Sequence, residues 1–408
     1  MDTGNTAFVL ISAALVALMT PGLAFFYGGL VHRRSVLTIM MQSFVAMGVI
    51  SVIWLLFGYS LAFSDTGSLL SLGGHSLLGN FDYALMKGIG MEDMGGIPVY
   101  AFFAFQMMFA VITPALISGA FVDRMNFKSY LVFIVLWSIL VYIPMAHWVW
   151  GGGLLSEGGL LGTGALDFAG GTIIHVQAGF AALASIFVLG SRKRTKHEPH
   201  NIPKMALGTA LLWFGWFGFN AGSALGATDQ AAAALVNTHI AAATAMTAWL
   251  LLSWIKDGRP SMVGALTGAV AGLVCITPAA GFVSPAAALV FGVAAALVGY
   301  FAVKFRMKMK WDDALDVWGV HGMAGFAGSI LTGIFAIERI GGTSGLIEGS
   351  SDVFFANLWT TLIATVFAFV MTYVILKAIG SFMDMKVDSK AVEASIDKAI
   401  HGEEAYDF

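Results

Sequence analysis

The sequence predicts an all-α integral membrane protein with eleven transmembrane helices, built as two five-helix halves in inverted repeat plus one final helix. Three observations carry that expectation. The 408 residues are 58% hydrophobic, with 49 glycines besides, and only 11% are charged, against about 25% in a soluble domain. So little charge cannot cover a water-exposed surface. Charge-free apolar stretches long enough to cross a bilayer recur eleven times along the chain. Lys and Arg segregate almost completely onto alternate loops.

A helix needs about 20 apolar residues to span the hydrocarbon core. Stretches of that kind run near 7–30, 36–63, 97–120, 129–150, 169–190, 205–224, 231–255, 261–280, 284–303, 317–337 and 353–376. A β-barrel would instead alternate over short segments. The N-terminal Met-Asp-Thr-Gly-Asn carries no basic region of a secretory signal, so the first span is expected to be retained. Residues 1–382 then form the transmembrane domain and 383–408 a tail. The lone Cys275 excludes a disulfide framework and a thiolate metal cluster. Neither cofactor nor metal is expected, and nucleic acid is excluded as a partner.

The charges set the orientation. Fifteen Lys and Arg fall in loops on one side: Arg33, Arg34, Arg124, Lys128, Arg192, Lys193, Arg194, Lys196, Lys204, Lys256, Arg259, Lys304, Arg306, Lys308 and Lys310. The tail adds Lys377, Lys386, Lys390 and Lys398, whereas the other side receives only Lys87 and Arg339. The positive-inside rule then puts the N-terminus outside and the tail in the cytoplasm, in a cell membrane. So clean a separation also requires an odd number of spans.

The two halves echo each other. Asp167 precedes His175 by eight residues at the start of span five, and Asp313 precedes His321 by eight at the start of span ten. Ile112-Thr113-Pro114-Ala115 in span three matches Ile276-Thr277-Pro278-Ala279 in span eight. Five crossings reverse the chain, so the mates run in opposite directions, as in inverted-repeat transporters whose sites lie at the midplane between the halves.

Polar groups within a bilayer are expensive and default to functional readings. No Lys lies inside a span, which removes a retinal Schiff base. Few carboxylates lie centrally, which argues against a carboxylate-based ion site. Asp313 is expected to cap its helix. His175 and His321 sit about two turns into their spans at equivalent positions of the repeat. Two neutral imidazoles so placed can pass a proton, each offering a donor and an acceptor. His239, without a mate, and His147, at the outer end of span four, are expected to be structural. The absence of a Gly-x-Ser-x-Gly elbow argues against an intramembrane hydrolase, and no enzymatic activity is expected. Trp150 and Ser223 can together attract a small cation, through the ring face and through a hydroxyl that accepts its N–H.

Three long segments carry a family resemblance: Asp167-Phe168-Ala169-Gly170-Gly171-Thr172-Ile173-Ile174-His175, Gly215-Trp216-Phe217-Gly218-Phe219-Asn220-Ala221-Gly222-Ser223, and Asp316-Val317-Trp318-Gly319-Val320-His321-Gly322. Together they resemble the ammonium transporter (Amt/Mep/Rh) family, over essentially the whole chain and in the order of its prokaryotic Amt branch. The resemblance implies a homotrimer with one pore per subunit. It implies an outer ammonium site of Trp150, Phe109 and Ser223, a phenyl gate of Phe109 and Phe219, and a twin-His pore of His175 and His321. Asp167, Trp216 and Gln106 would support or line that pore. The one departure is a longer outer loop between Trp150 and Asp167.

The expected mechanism is ammonium capture at the outer site, deprotonation at the gate, passage of ammonia, and separate proton transfer through the imidazole pair. Alternatives are a passive, electroneutral ammonia channel, and an ammonium sensor acting through a cytoplasmic PII-type partner. The tail bears on the last. Val392, Ile396 and Ile400 recur every four residues before a His401-Gly402 helix stop, and the resemblance implies that it packs on the cytoplasmic face and couples to a PII signalling protein.

Overall fold

In hydrocarbon a backbone N–H or C=O finds no water, so each apolar stretch must satisfy its own backbone as a helix. The computed structural model describes residues 1–90, 92–192, 199–388 and 395–406. Lys193, Arg194, Lys196, Lys390 and Val392 lie outside these described residues.

Eleven long helices cross the molecule among the described residues. They are α1 (Thr3–Leu30), α2 (Val36–Phe63), α3 (Val99–Ala120), α4 (Phe127–Trp150), α5 (Gly171–Leu189) and α6 (Ile202–Ala221). The second half continues with α7 (Asp229–Asp257), α8 (Met262–Ile276), α9 (Pro285–Lys308), α10 (residues 318–335) and α11 (Ser351–Phe382). The expected spans therefore hold, apart from their ends. α9 and α11 run five and six residues past the expected ends, to Lys308 and Phe382, whereas α8 falls short and stops at Ile276, just before Pro278, a residue that has no N–H for the ladder. Its echo, α3, runs on through Pro114.

Small residues let the two halves interlock. A Cβ on Gly208 of α6 would lie 2.1 Å from the Phe26 nitrogen of α1, and one on Gly29 of α1 would lie 2.5 Å from the Met205 nitrogen of α6. The second seam joins α5 to α10. A Cβ on Gly179 would lie 2.1 Å from the Gly322 Cα, and one on Gly325 would lie 3.1 Å from the His175 Cβ. Gly179 follows His175 by four residues and Gly325 follows His321 by four. Each glycine thus opens room beside the other half's histidine, as a two-fold relation between the halves requires.

Both histidines sit in π-helical turns, Gly171–Val176 and Trp318–Met323. Such turns widen the helix and re-aim the side chains they carry. Each is capped from the preceding loop. Asp167 accepts the Thr172 and Ile173 N–H groups at 3.0 Å, and Asp313 accepts the Trp318 N–H at 2.7 Å.

At the positively charged end, Arg124 ties three segments together. Its guanidinium donates to the Gly190 carbonyl closing α5, the Ala120 carbonyl closing α3, and the Asp312 carbonyl before α10. Asp312 in turn takes the Arg192 guanidinium at 2.7 Å and the Arg192 N–H at 2.6 Å. Burial alone would push the Asp312 carboxyl up, but these Arg192 contacts outweigh it and hold the group below the usual carboxylate range. A depressed carboxyl contributes stability above its unfolded pKa, and that contribution is lost as pH falls through the native value. The gap in melting temperature between wild type and Asp312→Asn in detergent is therefore expected to be full near pH 6 and to narrow below about pH 4. A gap independent of pH would contradict this.

The tail is docked. Its helix α12 (Ile396–His401) ends at Gly402 in the left-handed conformation, φ 72°, as the stop motif predicts. Asp397 accepts the Leu37 and Thr38 N–H groups at 2.9 and 2.8 Å, so the tail caps α2, whose own Ser35 makes no side-chain cap. Tyr406 meets His200 and Lys204, each at 3.0 Å. Ile396 is buried and Ile400 partly so.

Candidate functional site

Three cavities follow one another through the bundle. The outer one, ≈ 170 Å³, is lined by Trp150, Ser223 and Gln106 with Phe63, Phe102, Phe168 and Leu225. Its walls are apolar, four of the seven residues being aromatic, except for the two polar side chains. Ser223 donates to the Phe219 carbonyl at 2.9 Å, which leaves its oxygen lone pairs as acceptors. The Gln106 Oε1 is buried without a partner, a second acceptor at the same place. Trp150 is fixed by its indole N–H on the Asp167 carbonyl at 2.8 Å.

Phe109 lies below this cavity and does not line it. It is 1% exposed, with its ring edge-on to Trp150 at 6.1 Å and its face tilted 40° against Phe219 at 4.3 Å. The two phenyls close the floor. Phe105 backs Phe109 at 4.7 Å.

Beneath them is a narrow cavity of ≈ 10 Å³, about the space of one water. Its wall is apolar (Leu23, Phe26, Ile112, Leu116, Val270) except for His175, His321 and the Trp216 indole. The rings form a column. His175 stacks on Trp216 at 5.3 Å, on Phe219 at 5.9 Å and on His321 at 5.3 Å. The Nδ1 atoms of the two histidines are 3.2 Å apart, so one ring donates and the other accepts. His175 Nε2 has no partner. His321 lines both this cavity and the inner one, ≈ 390 Å³, which also contains Arg192, Arg306 and Asp316.

Thus Trp150, Ser223 and Gln106 come together at one end, Phe109 and Phe219 in the middle, and His175, Trp216 and His321 beyond them. Asp167 lines none of these three cavities. It is 5% exposed, and both oxygens are taken up by the N–H groups of Gly170, Thr172 and Ile173. His147 is held by Ser76 and the Ala62 carbonyl, a structural role as expected. His239 is not a core residue. It is exposed on α7 beside Trp213 and Phe217.

Residues that sequence reasoning missed support these. Thr277 accepts the Trp216 indole N–H at 2.9 Å. Asn357 of α11 pins the outer loop through the Leu166 N–H and carbonyl at 2.9 and 3.0 Å. Thr277 stood in the echoed motif and was therefore findable. Asn357, one amide in an apolar span, could have been flagged as a buried polar group, but its partner could not.

The same order of elements is found in known proteins. The sequence profile of the Ammonium Transporter Family matches residues 7–406. This chain belongs to the ammonium transporter family. It is 46% identical to an ammonium transporter of Aquifex aeolicus (strain VF5) over 100% of this chain and 94% of that one. It is 44% identical to an ammonium transporter of Bacillus subtilis (strain 168), over 100% and 99%. The crystal structure of Candida albicans Mep2 superimposes with a TM-score of 0.87 at 33% identity, covering 96% of this chain and 87% of that one. A solved structure described as a Sensor Amt Protein gives 0.88 at 26% identity, covering 98% of each.

In this family member, Asp167 offers a direct test of support without substrate contact. Asp167→Ala strands three buried N–H donors, each at about 1–3 kcal/mol. A fall in thermal stability of several kcal/mol is expected, with Asp167→Asn, which keeps one acceptor oxygen, in between. Equal melting temperatures for wild type and Asp167→Ala would contradict the cap.

Proposed function

We propose that the protein is an electrogenic ammonium transporter. Ammonium is held in the outer cavity by the Trp150 face, a contact of about 0.5–2 kcal/mol, and by N–H donation to Ser223 and Gln106. Phe109 forms the floor of that site. At the phenyl gate the cation gives its proton to the His175 imidazole beneath it, whose Nε2 has no other partner among the described residues, because the apolar cavity below makes a bare charge costly while a neutral amine is tolerated. Ammonia crosses past Trp216, and the proton crosses separately from His175 to His321. Potassium has a similar radius but neither donates hydrogen bonds nor releases a proton, so it stops at the gate.

The observation that carries this reading is the 3.2 Å contact between the Nδ1 atoms directly beneath a closed aromatic floor. A pore for intact cations has no use for a proton-sharing pair in an apolar chamber. The protein acts in the cell membrane as a homotrimer, N-terminus outside, with the docked tail presented to a cytoplasmic PII-type partner. A sensor role acting through that partner is the second reading, favoured by the tail's grip on α2 through Asp397 and by the likeness to the Sensor Amt Protein.

The test is current from proteoliposomes on a membrane-adsorbed electrode after an ammonium jump at fixed pH, with a potassium jump as control. An ammonium-specific current supports electrogenic transport. Internal alkalinisation without current overturns it in favour of a neutral channel, and silence in both favours the sensor.

A further inference from the structure

Residues 304–311, at the end of α9, read Lys-Phe-Arg-Met-Lys-Met-Lys-Trp, four cations alternating with four large apolar side chains. Two of the cations are paired within the chain, Lys304 with Asp257 at 3.0 Å and Arg306 with Asp316 at 2.5 Å. Lys308 and Lys310 are exposed and make no ion pair among the described residues. Between them Met309 is 47% exposed, as is Phe305 one turn back. Water penalises the apolar half of this collar and hydrocarbon penalises the unpaired ammonium groups. Only the boundary between the two suits both. The 24 residues of α9 extend about 36 Å, longer than the roughly 30 Å core, which puts this end at that boundary.

The backbone adds a second observation. Lys310 adopts a left-handed φ of 57°, a helix-stop position that glycine fills without strain. The Trp311 N–H bonds the Arg306 carbonyl at 3.0 Å and the Lys310 N–H bonds the Met307 carbonyl at 3.1 Å. That turn folds the Trp311 ring against Phe305 at 5.6 Å and Phe187 at 5.4 Å and leaves Lys310, the residue before it, exposed.

We infer that this collar is a binding site for anionic phospholipid, with Lys308 and Lys310 on the phosphate and Phe305, Met309 and Trp311 among the adjoining acyl chains. Two ammonium groups that make no ion pair among the described residues, the nearby Asp312 being engaged by Arg192, prefer a net-negative headgroup over a zwitterionic one. A soluble acidic partner would leave Phe305 and Met309 without hydrocarbon, so lipid is the better occupant. The lysine stems can lie along apolar surface while their heads reach the phosphates. This inference is independent of how ammonium is conducted.

The test uses the full chain in neutral detergent, titrated with phosphatidylglycerol or with phosphatidylcholine of the same acyl chains, and counts retained lipid by native mass spectrometry. Wild type is expected to prefer phosphatidylglycerol. Lys308→Gln with Lys310→Gln should weaken that binding on the order of tenfold and leave phosphatidylcholine unchanged. Lys310→Gly separates lipid binding from folding, because it relieves the left-handed lysine. It should be at least as heat-stable as wild type without lipid, yet bind phosphatidylglycerol more weakly. Equal retention of the two lipids by wild type, or unaltered binding by the double variant, overturns the site. Displacement by inorganic phosphate at matched concentration overturns the membrane reading in favour of a free anion.

Discussion

His175→Ala and His321→Ala are each expected to reduce the ammonium-evoked current at least tenfold in proteoliposomes of matched protein content, since positioned proton transfer contributes about 10²–10⁴ to rate. The two Nδ1 atoms share one hydrogen bond at 3.2 Å. For one ring to donate and the other to accept, the rings must hold different tautomers, so a proton arriving at one releases a proton from the other. His175 is 2% exposed, enclosed by Trp216, Phe219 and His321. Its loss leaves apolar wall where the proton path was. Ammonia needs no such path, so internal alkalinisation should survive in either variant while the current collapses. Full current in either variant would sink the relay, and loss of both signals would mean the chamber itself had been deformed.

Gly179→Ala is expected to abolish transport and destabilise the fold, for a reason unrelated to proton chemistry. Its Cβ would lie 2.1 Å from the Gly322 Cα and nitrogen, both backbone atoms. No side-chain rotation relieves that overlap, so α5 and α10 must separate by an ångström or more. Overpacking of this kind costs about 1–3 kcal/mol and sometimes more. The histidines ride on the same two helices, so the separation also lengthens their contact. Gly48→Ala is the control. Its Cβ would meet nothing within 4 Å, and replacing a helical glycine by alanine is favourable by roughly 1 kcal/mol. Thermal unfolding and current should therefore diverge between the two variants. A Gly179→Ala protein with normal melting temperature and normal current would remove the seam from the account.

The family resemblance assigned an outer site, a gate and a twin-His pore, but it did not say which side chains line the cavities and which, like Asp167, only hold the backbone around them. Phe109 was assigned both to the outer site with Trp150 and Ser223 and to a gate with Phe219; in the structure it packs on Phe219 at 4.3 Å, beneath the cavity that Trp150 and Ser223 line. Gln106 was named to support or line the pore without a chemical role, and it contributes an unpartnered acceptor to the wall that Trp150 and Ser223 share. Nor were the π-helical turns under both histidines legible. Periodicity counts positions along an ideal helix, whereas a π turn is a local widening stabilised by what packs around it. The tail shows the same limit. Its helix stop could be read from His401-Gly402, but Asp397 as the cap of α2 joins residues about 360 positions apart, and nothing local marks such a pair.

What the sequence determined by itself was the number of crossings, their places and the charge asymmetry of the loops. These follow from the bilayer, a solvent that makes every segment satisfy its own backbone and sorts charge by side. The rest was decided by tertiary structure: which glycines meet, which carbonyl receives Trp150, how near two imidazoles come. Such contacts depend on helix rotation and crossing within a close-packed interior, where a single methyl group changes the outcome, and no pattern along one helix encodes its neighbour's rotation.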